Sequence, residues 1–206
     1  MDTTHLCCQR IKRLVSCDAI KFLVKYLSEG SAQTREAAAR AMRQICVEPS
    51  IRGAVVQQGG LKLCCTIATS DPSTEPEVKK AARLEAAHAV AKTLVTTNPH
   101  LLTEHQRLGA VKPLLMLCRD GDATNLQQFE CLLSLTNVLS CGEPEHNKFI
   151  AEKGISTVHY LVFSEHLMVR RAATETLCNL SSNESFLMVR TVVQYRSVYL
   201  DGLYSI

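Results

Sequence analysis

The sequence contains no tryptophan, and aromatic residues fill only 5% of its 206 positions. A core with so few rings must be built from Leu, Val, Ile, Ala and Cys, which favours close helix packing through small residues over a β-sandwich. Neither sign of charge dominates: 23 Lys and Arg stand against 20 Asp and Glu, a net +3. That balance argues against nucleic acid or an anionic membrane as the main partner. No window approaches the roughly 18 uncharged apolar residues of a membrane span. The opening Met1-Asp2-Thr3-Thr4-His5 begins acidic and lacks the apolar region of a secretory signal. A soluble, cytoplasmic protein is expected. With 46% hydrophobic and 21% charged residues, a packed core is within reach and wholesale disorder is excluded.

Enzyme signatures are missing too. There is no G-x-S-x-G, no H-E-x-x-H and no Walker loop, and Gly59-Gly60 does not complete a dinucleotide-binding fingerprint. His159 and His166 stand seven apart without an Asp or Cys cluster, which fits surface histidines better than metal ligands. Cys131 and His88 could serve as nucleophile and base, but nothing in the sequence places them together. Lys79-Lys80 and Arg170-Arg171 read as solvated helix faces. No catalytic residue, cofactor or metal is expected.

Cysteine is the exception to this scarcity, with 10 copies. In a short secreted chain they would suggest a disulfide framework. Here Cys46, Cys118, Cys131 and Cys178 lie inside apolar helical stretches, as Leu or Ala would, and no C-x-x-C occurs. The doublets Cys7-Cys8 and Cys64-Cys65 do not have metal spacing. Buried, reduced thiols are expected.

One pattern recurs: a break, an apolar pair, a short helix ending in Leu, a polar gap, then a longer Ala- or Leu-rich helix. It begins at Asp18, Gly59, Gly109 and Gly154, in steps of 41, 50 and 45. These bracket the roughly 40–47-residue period of HEAT and armadillo repeats. Pro49, Pro99 and Pro144 follow the long helices, and helices usually stop before a proline. The glycines at repeat starts allow tight bends. Ser70-Asp71-Pro72-Ser73-Thr74-Glu75-Pro76 is an insertion between two helices of the second unit, which explains the longer step. Glu36 and Arg40 can pair across one helical turn, and Ala37, Ala38 and Ala41 leave room for a close neighbour.

The expected architecture is therefore all-α: an armadillo-repeat right-handed superhelix of about four repeats. They span 18–58, 59–108, 109–153 and 154–183, within a segment 1–183. A divergent tail, 184–206, follows. A single unit cannot bury its apolar faces, whereas stacking makes a continuous core and a curved groove lined by the long helices. Equivalent late positions in these helices are Gln44, Lys92, Asn137 and Asn179, in steps of 48, 45 and 42. One turn earlier stand Arg40, His88, Leu133 and Glu175. An Asn at such a position can donate to and accept from the backbone of an extended peptide, or it can bond neighbouring backbone between repeats.

Four blocks of sequence extend this reading. The stretch from Thr124 to Val138, with Asn125-Leu126-Gln127-Gln128-Phe129-Glu130-Cys131-Leu132-Leu133-Ser134-Leu135-Thr136-Asn137, resembles the "LQNFEALMALTNLA" segment of the UCS-domain myosin chaperones. Arg170-Arg171-Ala172-Ala173-Thr174-Glu175-Thr176-Leu177-Cys178-Asn179-Leu180 is similar to that family's "RRAATECMCNL". Arg52-Gly53-Ala54-Val55-Val56-Gln57-Gln58-Gly59-Gly60 is similar to "RGTIVAQGG", and Ala86-Ala87-His88-Ala89-Val90-Ala91-Lys92 with Thr97-Asn98-Pro99 to "AAHALAKI…SNP". The matches fall in the family's order across roughly residues 40–183, and resemble most the animal Unc-forty-five type.

The resemblance implies a UCS segment that binds the myosin motor domain and assists its folding and assembly into filaments. In that family an amino-terminal TPR domain binds the Hsp90 tail. No TPR signature occurs here, so Hsp90 contact is expected only through regions this chain lacks. The resemblance carries the groove role to Asn137 and Asn179, with Glu130, Leu133, Arg171 and Glu175 nearby; Gln44 and Lys92 depart from the Asn pattern. It also places this protein in the muscle sarcomere. The tail beyond Ser182-Asn183-Glu184 leaves the family pattern and reads as a makeshift cap or a truncated end. Uncapped solenoid ends would favour self-association. The alternative is a passive armadillo adaptor. Importin-type grooves use repeated Trp-Asn pairs; with no Trp, and with Leu133 and Glu175 one turn before its two Asn, this chain does not fit that version.

Overall fold

A computed structural model describes the backbone of residues 3–8 and both backbone and side chains of residues 9–76, 78–181 and 183. The expected tail, 184–206, lies outside the described residues. The described secondary structure is helical throughout, without a strand among the described residues. The helices are α1 (Thr3–Ser16), α2 (Ala19–Glu29), α3 (Ala32–Ile45), α4 (Pro49–Gln57), α5 (Gly60–Ala68) and α6 (Lys80–Leu94). After a short 3-10 turn (Pro99–Leu101) come α7 (Glu104–Cys118), α8 (Asn125–Leu139), α9 (Glu143–Ala151), α10 (Gly154–Leu161) and α11 (Leu167–Cys178).

Local chemistry sets these boundaries. Ser31 accepts from Thr34 N at the start of α3, and reciprocal capping boxes join Thr103 to Gln106 at α7 and Thr124 to Gln127 at α8. Pro49 opens α4, Pro99 opens the 3-10 turn, and Pro144 is the second residue of α9. Each proline therefore starts a helix as well as ending the one before it. Three of the four repeat starts bend through the left-handed region, at Asp18 (φ 60°), Gly59 (φ 83°) and Lys153 (φ 58°). At the fourth start the bend sits on Lys153, and Gly154 serves a different need: a Cβ there would lie 2.5 Å from the Phe149 ring.

The third unit departs from expectation. No break occurs at Gly109; α7 runs straight through both Gly109 and Pro113. The capping box at Thr103 begins the helix early, so the two short helices of that unit are fused. Pro113 has no N–H for the Gly109 carbonyl, and the helix continues past that lost bond.

The long helices α3, α6, α8 and α11 pack in succession, each on the next. Behind them α2, α5, α7 and α10 pack on α3, α6, α8 and α11 respectively, and α4 and α9 bridge neighbouring layers. This is an armadillo-type α-solenoid. Helix α6 is its centre, surrounded by α3, α5, α7 and α8. Its buried residues, among them Ala82, Ala86, Ala87, Ala89, Val90 and Ala91, lie around the whole helix rather than along one stripe. Alanine lets several neighbours approach at once.

Polar ties also hold the C-terminal ends of the long helices α3, α6 and α8. Buried Arg52 donates to the Cys46 carbonyl at 2.9 Å and to the Thr96 hydroxyl. Arg107 meets Glu145, which is 1% exposed, at 2.6 Å, and His146 Nε2 donates to the Leu139 carbonyl at 2.7 Å. Removing one partner of such a pair leaves an uncompensated buried charge.

Glycine substitutions test this packing. Gly154→Ala must displace the buried Phe149 ring and is expected to destabilise by about 1–3 kcal/mol. In Gly53→Ala, within α4, the new Cβ meets nothing within 4 Å, and the variant is expected to gain about 0.5–1 kcal/mol. Urea denaturation followed by circular dichroism measures both. Equal stabilities would show that the Phe149 contact is not limiting.

Candidate functional site

The face formed by α3, α6, α8 and α11 holds the residues that the repeat register brings into line. Its N-terminal half is laced with ion pairs. Glu85 on α6 receives Arg43 at 2.6 Å and Arg40 at 3.1 Å from α3, and Arg40 also meets Glu36 at 3.0 Å, as the four-residue spacing predicts. Lys92 on α6 pairs with Glu130 on α8, and the two side chains are only 20% and 16% exposed. Burial raises the Glu85 carboxyl, but hydrogen bonds and charge from Arg43 and Arg40 outweigh it and hold the group below its ordinary value.

Hydroxyls and amides continue the lacing toward α11. Ser134 donates to the Ala91 carbonyl at 2.9 Å, and the buried Thr136 and Thr176 hydroxyls share a 2.9 Å bond between α8 and α11. The side-chain amide of Asn137 donates to the carbonyls of Leu94 (3.2 Å) and Val95 (3.0 Å). Asn179 donates to the Thr136 carbonyl at 2.9 Å. Of the two roles open to these asparagines, bonding between repeats is the one seen here, with the Asn137 and Asn179 amide nitrogens turned toward neighbouring backbone.

The remaining expected groove residues are distributed along the same helices. Gln44 is exposed near the end of α3, and Leu133 is partly exposed on α8. Arg171 and Glu175 are exposed one turn apart on α11, and neither has an ion-pair partner among the described residues. A cleft of about 570 Å³ opens beside them, lined also by Val162, Leu167 and Cys178. The charges are thus consumed where α3, α6 and α8 meet and are free at α11.

The sequence did not single out Glu85, Ser134, Thr136 or Thr176. Their signal is a polar residue recurring inside a stretch that is otherwise Ala, Leu and Val, one long helix after another. The imagined pairing of Cys131 with His88 does not form: the Cys131 thiol donates to the Leu114 carbonyl at 2.7 Å and lies 3.2 Å from Cys118 Sγ, whereas His88 Nδ1 faces Gln127. Burial pushes the Cys65 thiol up to about 12 and raises Cys64 and Cys131 as well, which removes the thiolate that nucleophilic or metal chemistry needs. Cys178 breaks the expectation of burial. It lies on the outward side of α11 and is exposed, as is Cys17. Among the described residues no His, Cys, Asp and Glu group could hold a metal ion, and no helix is long and apolar enough to cross a membrane.

Two measurements follow from these contacts. Asn137→Ala removes the side-chain donor to the Leu94 and Val95 carbonyls and is expected to cost about 1–3 kcal/mol of stability; Asn179→Ala leaves the Thr136 carbonyl its bond from Ser140 N at 3.1 Å and is expected to cost only about 0.5–1.5 kcal/mol; unchanged thermal midpoints would refute the inter-repeat role. The lowered Glu85 carboxyl contributes stability that is present above the ordinary glutamate value of about 4.3 and is lost as pH falls through its folded value. Glu85→Gln should therefore show a flatter loss of stability than wild type on acidification from about pH 7 to about pH 3. Parallel acid profiles would remove Glu85 from the account.

No family model matches the chain. Among curated proteins it is 32% identical over 184 residues to protein unc-45 homolog B of Xenopus tropicalis, covering 85% of this chain and 19% of the relative. A solved structure of the UNC-45 chaperone, with features described as critical for binding and folding muscle myosin, is 27% identical with a TM-score of 0.74; the match covers 86% of this chain and 19% of that one. A computationally designed armadillo repeat protein for modular peptide recognition, 18% identical, overlays with a TM-score of 0.64 over 86% of this chain and 71% of its own, which supports the fold alone. This chain spans about a fifth of the length of its curated relatives. The four sequence blocks, the stacked long helices and the 32% identity lead to one assignment: the chain belongs to the UNC-45 family.

Proposed function

We propose that this chain is a polypeptide-binding chaperone segment that holds a myosin motor domain against the face formed by α3, α6, α8 and α11 and assists its folding and assembly. The observation that carries this reading is the contrast along that face. Ion pairs and amides fasten the N-terminal helices to one another, while Arg171 and Glu175 remain available beside an open cleft that Leu167 also lines, and Leu133 is partly exposed on α8. A fastened face supplies a preformed surface, and unpaired groups of both signs beside an apolar residue supply contacts. Family membership supports a chaperone role, and the related UNC-45 structure is described as binding and folding muscle myosin. Lys92 and Glu130 then act in binding by holding α6 to α8, and Gln44 extends the surface at its far end. In this reading the chain works in the cytoplasm.

The test is suppression of thermal aggregation of a purified myosin motor domain, followed by light scattering. Wild-type chain is expected to protect. The triple variant Leu133→Ser, Arg171→Ala, Glu175→Ala removes only exposed or partly exposed groups. It should bind at least about fivefold more weakly with an unchanged thermal midpoint. Full protection by this variant would refute the surface assignment. Failure of the wild-type chain to protect, together with recovery of a different extended partner from muscle extract, would favour the adaptor reading.

A further inference from the structure

Each long helix is covered by the next: α3 by α6, α6 by α8 and α8 by α11. Helix α11 has no successor among the described residues. The side it would offer to one follows from the repeat register. The Thr176 hydroxyl lies 3.4 Å from the Leu132 carbonyl, and Asn179 donates to the Thr136 carbonyl at 2.9 Å. Helix α11 therefore seats on α8 around Leu132 and Thr136, which are only 0% and 8% exposed. The step of 42 that relates Asn137 to Asn179 carries those two positions to Thr174 and Cys178. Both are exposed, so the stacking face of α11 is bare.

That face is continuous. At about 3.6 residues per turn, Leu167, Met168, Arg171, Thr174, Glu175 and Cys178 form one stripe, and all six are exposed. Large apolar side chains left in solvent gather at the same end. Tyr160 (79%), Phe163 (73%), Leu167 (48%) and Met168 (42%) lie on α10, on α11 or in the turn between them. The end of a solenoid needs a polar cap to stay in water, and a surface of this composition needs a cover instead.

The charges on the stripe select the cover. Arg170 is spent on the carbonyls of Ser164 and Glu165, at 2.8 and 2.9 Å. Arg171 and Glu175 have no ion-pair partner among the described residues. They have opposite signs and stand one turn apart on the outward side. A uniformly acidic or basic partner would satisfy one of them and repel the other. A second copy of α11 satisfies both. When two such helices run antiparallel, with the twofold axis level with Ala173, Arg171 of each stands level with Glu175 of the other. The same axis brings Leu167 of each copy beside Cys178 of the other. Thr174 and Cys178 are short side chains, which lets the two helices approach closely.

We propose that the outer face of α11 is a self-association site: two chains join there as an antiparallel, isologous dimer through reciprocal Arg171–Glu175 pairs, with Leu167 of each copy packed on Cys178 of the other. This goes beyond the client-binding reading and is measured without a client.

Sedimentation velocity of the full chain tests it. One helix and its neighbouring turn make a small interface, so a monomer–dimer equilibrium with Kd of about 1–100 μM is expected. Arg171→Glu alone and Glu175→Arg alone each set like charges against one another, and each should weaken the dimer about tenfold or more. The double variant Arg171→Glu, Glu175→Arg restores both pairs and should return to near wild-type affinity. An equimolar mixture of the two single variants should do the same as a heterodimer. A folding defect in a single variant would not be repaired by mixing, so recovery isolates the charge pairing.

A chain that stays monomeric up to about 200 μM overturns the proposal and leaves the face to another cover, residues 184–206 included. Dimers indifferent to all the charge variants overturn it as well. So does a series of oligomers that lengthens with concentration, which end-to-end stacking of unlike faces would give. Aggregation assays run below the measured Kd present the motor domain with monomer, so failure of the client reading and failure of the dimer remain separate results.

Discussion

Polar matching between consecutive long helices is the constraint on which this structure depends. An interface of Ala, Leu and Val alone is nearly indifferent to sliding by one helical turn, about 5.4 Å. The groups embedded in it are not. Such a slip would separate Glu85 from Arg43, Glu130 from Lys92, Thr136 from Thr176, and Asn137 from the end of α6. Each stranded buried group costs about 1–3 kcal/mol, comparable with a sizeable share of a domain's net stability. The apolar residues make the helices pack; the polar ones decide where.

Much of this was legible from the residues. The spacing of Asp18, Gly59 and Gly154, with Pro49, Pro99 and Pro144, marks where helices begin and end, because both residue types act through the backbone and their effect is local. The third unit shows the limit of that logic. Gly109 resembles the other repeat starts, yet a capping box six residues upstream nucleates a helix that passes through it. A cap and a glycine compete, and spacing alone does not rank them. The site was less legible for a different reason. Asn137 and Asn179 stand at the right positions for a groove, but whether an amide faces a partner or the adjacent repeat depends on which carbonyl lies within reach. That distance is a property of the stack rather than of any one helix. Cys178 illustrates the same point, since the same apolar register that buries Cys131 leaves it at the surface of α11.

For the chaperone role proposed above, the division along the long-helix face also bears on how a client is held. A surface fastened by its own ion pairs gives up little conformational entropy on binding, so weak individual contacts suffice. Because those pairs join different repeats, a client touching α8 and α11 meets a surface whose spacing has already been set from α3 onward.

The thiols carry a practical consequence. Cys46, Cys64, Cys65, Cys118 and Cys131 are buried, whereas Cys178 is exposed on α11 beside Arg171 and Glu175. Alkylating reagents will therefore sort the chain's sulfur atoms by location, modifying Cys178 well before the interior ones. Its modification rate becomes a footprint of the open cleft, slowing when something occupies it, with exposed Cys17 on the far end of the stack as the internal reference.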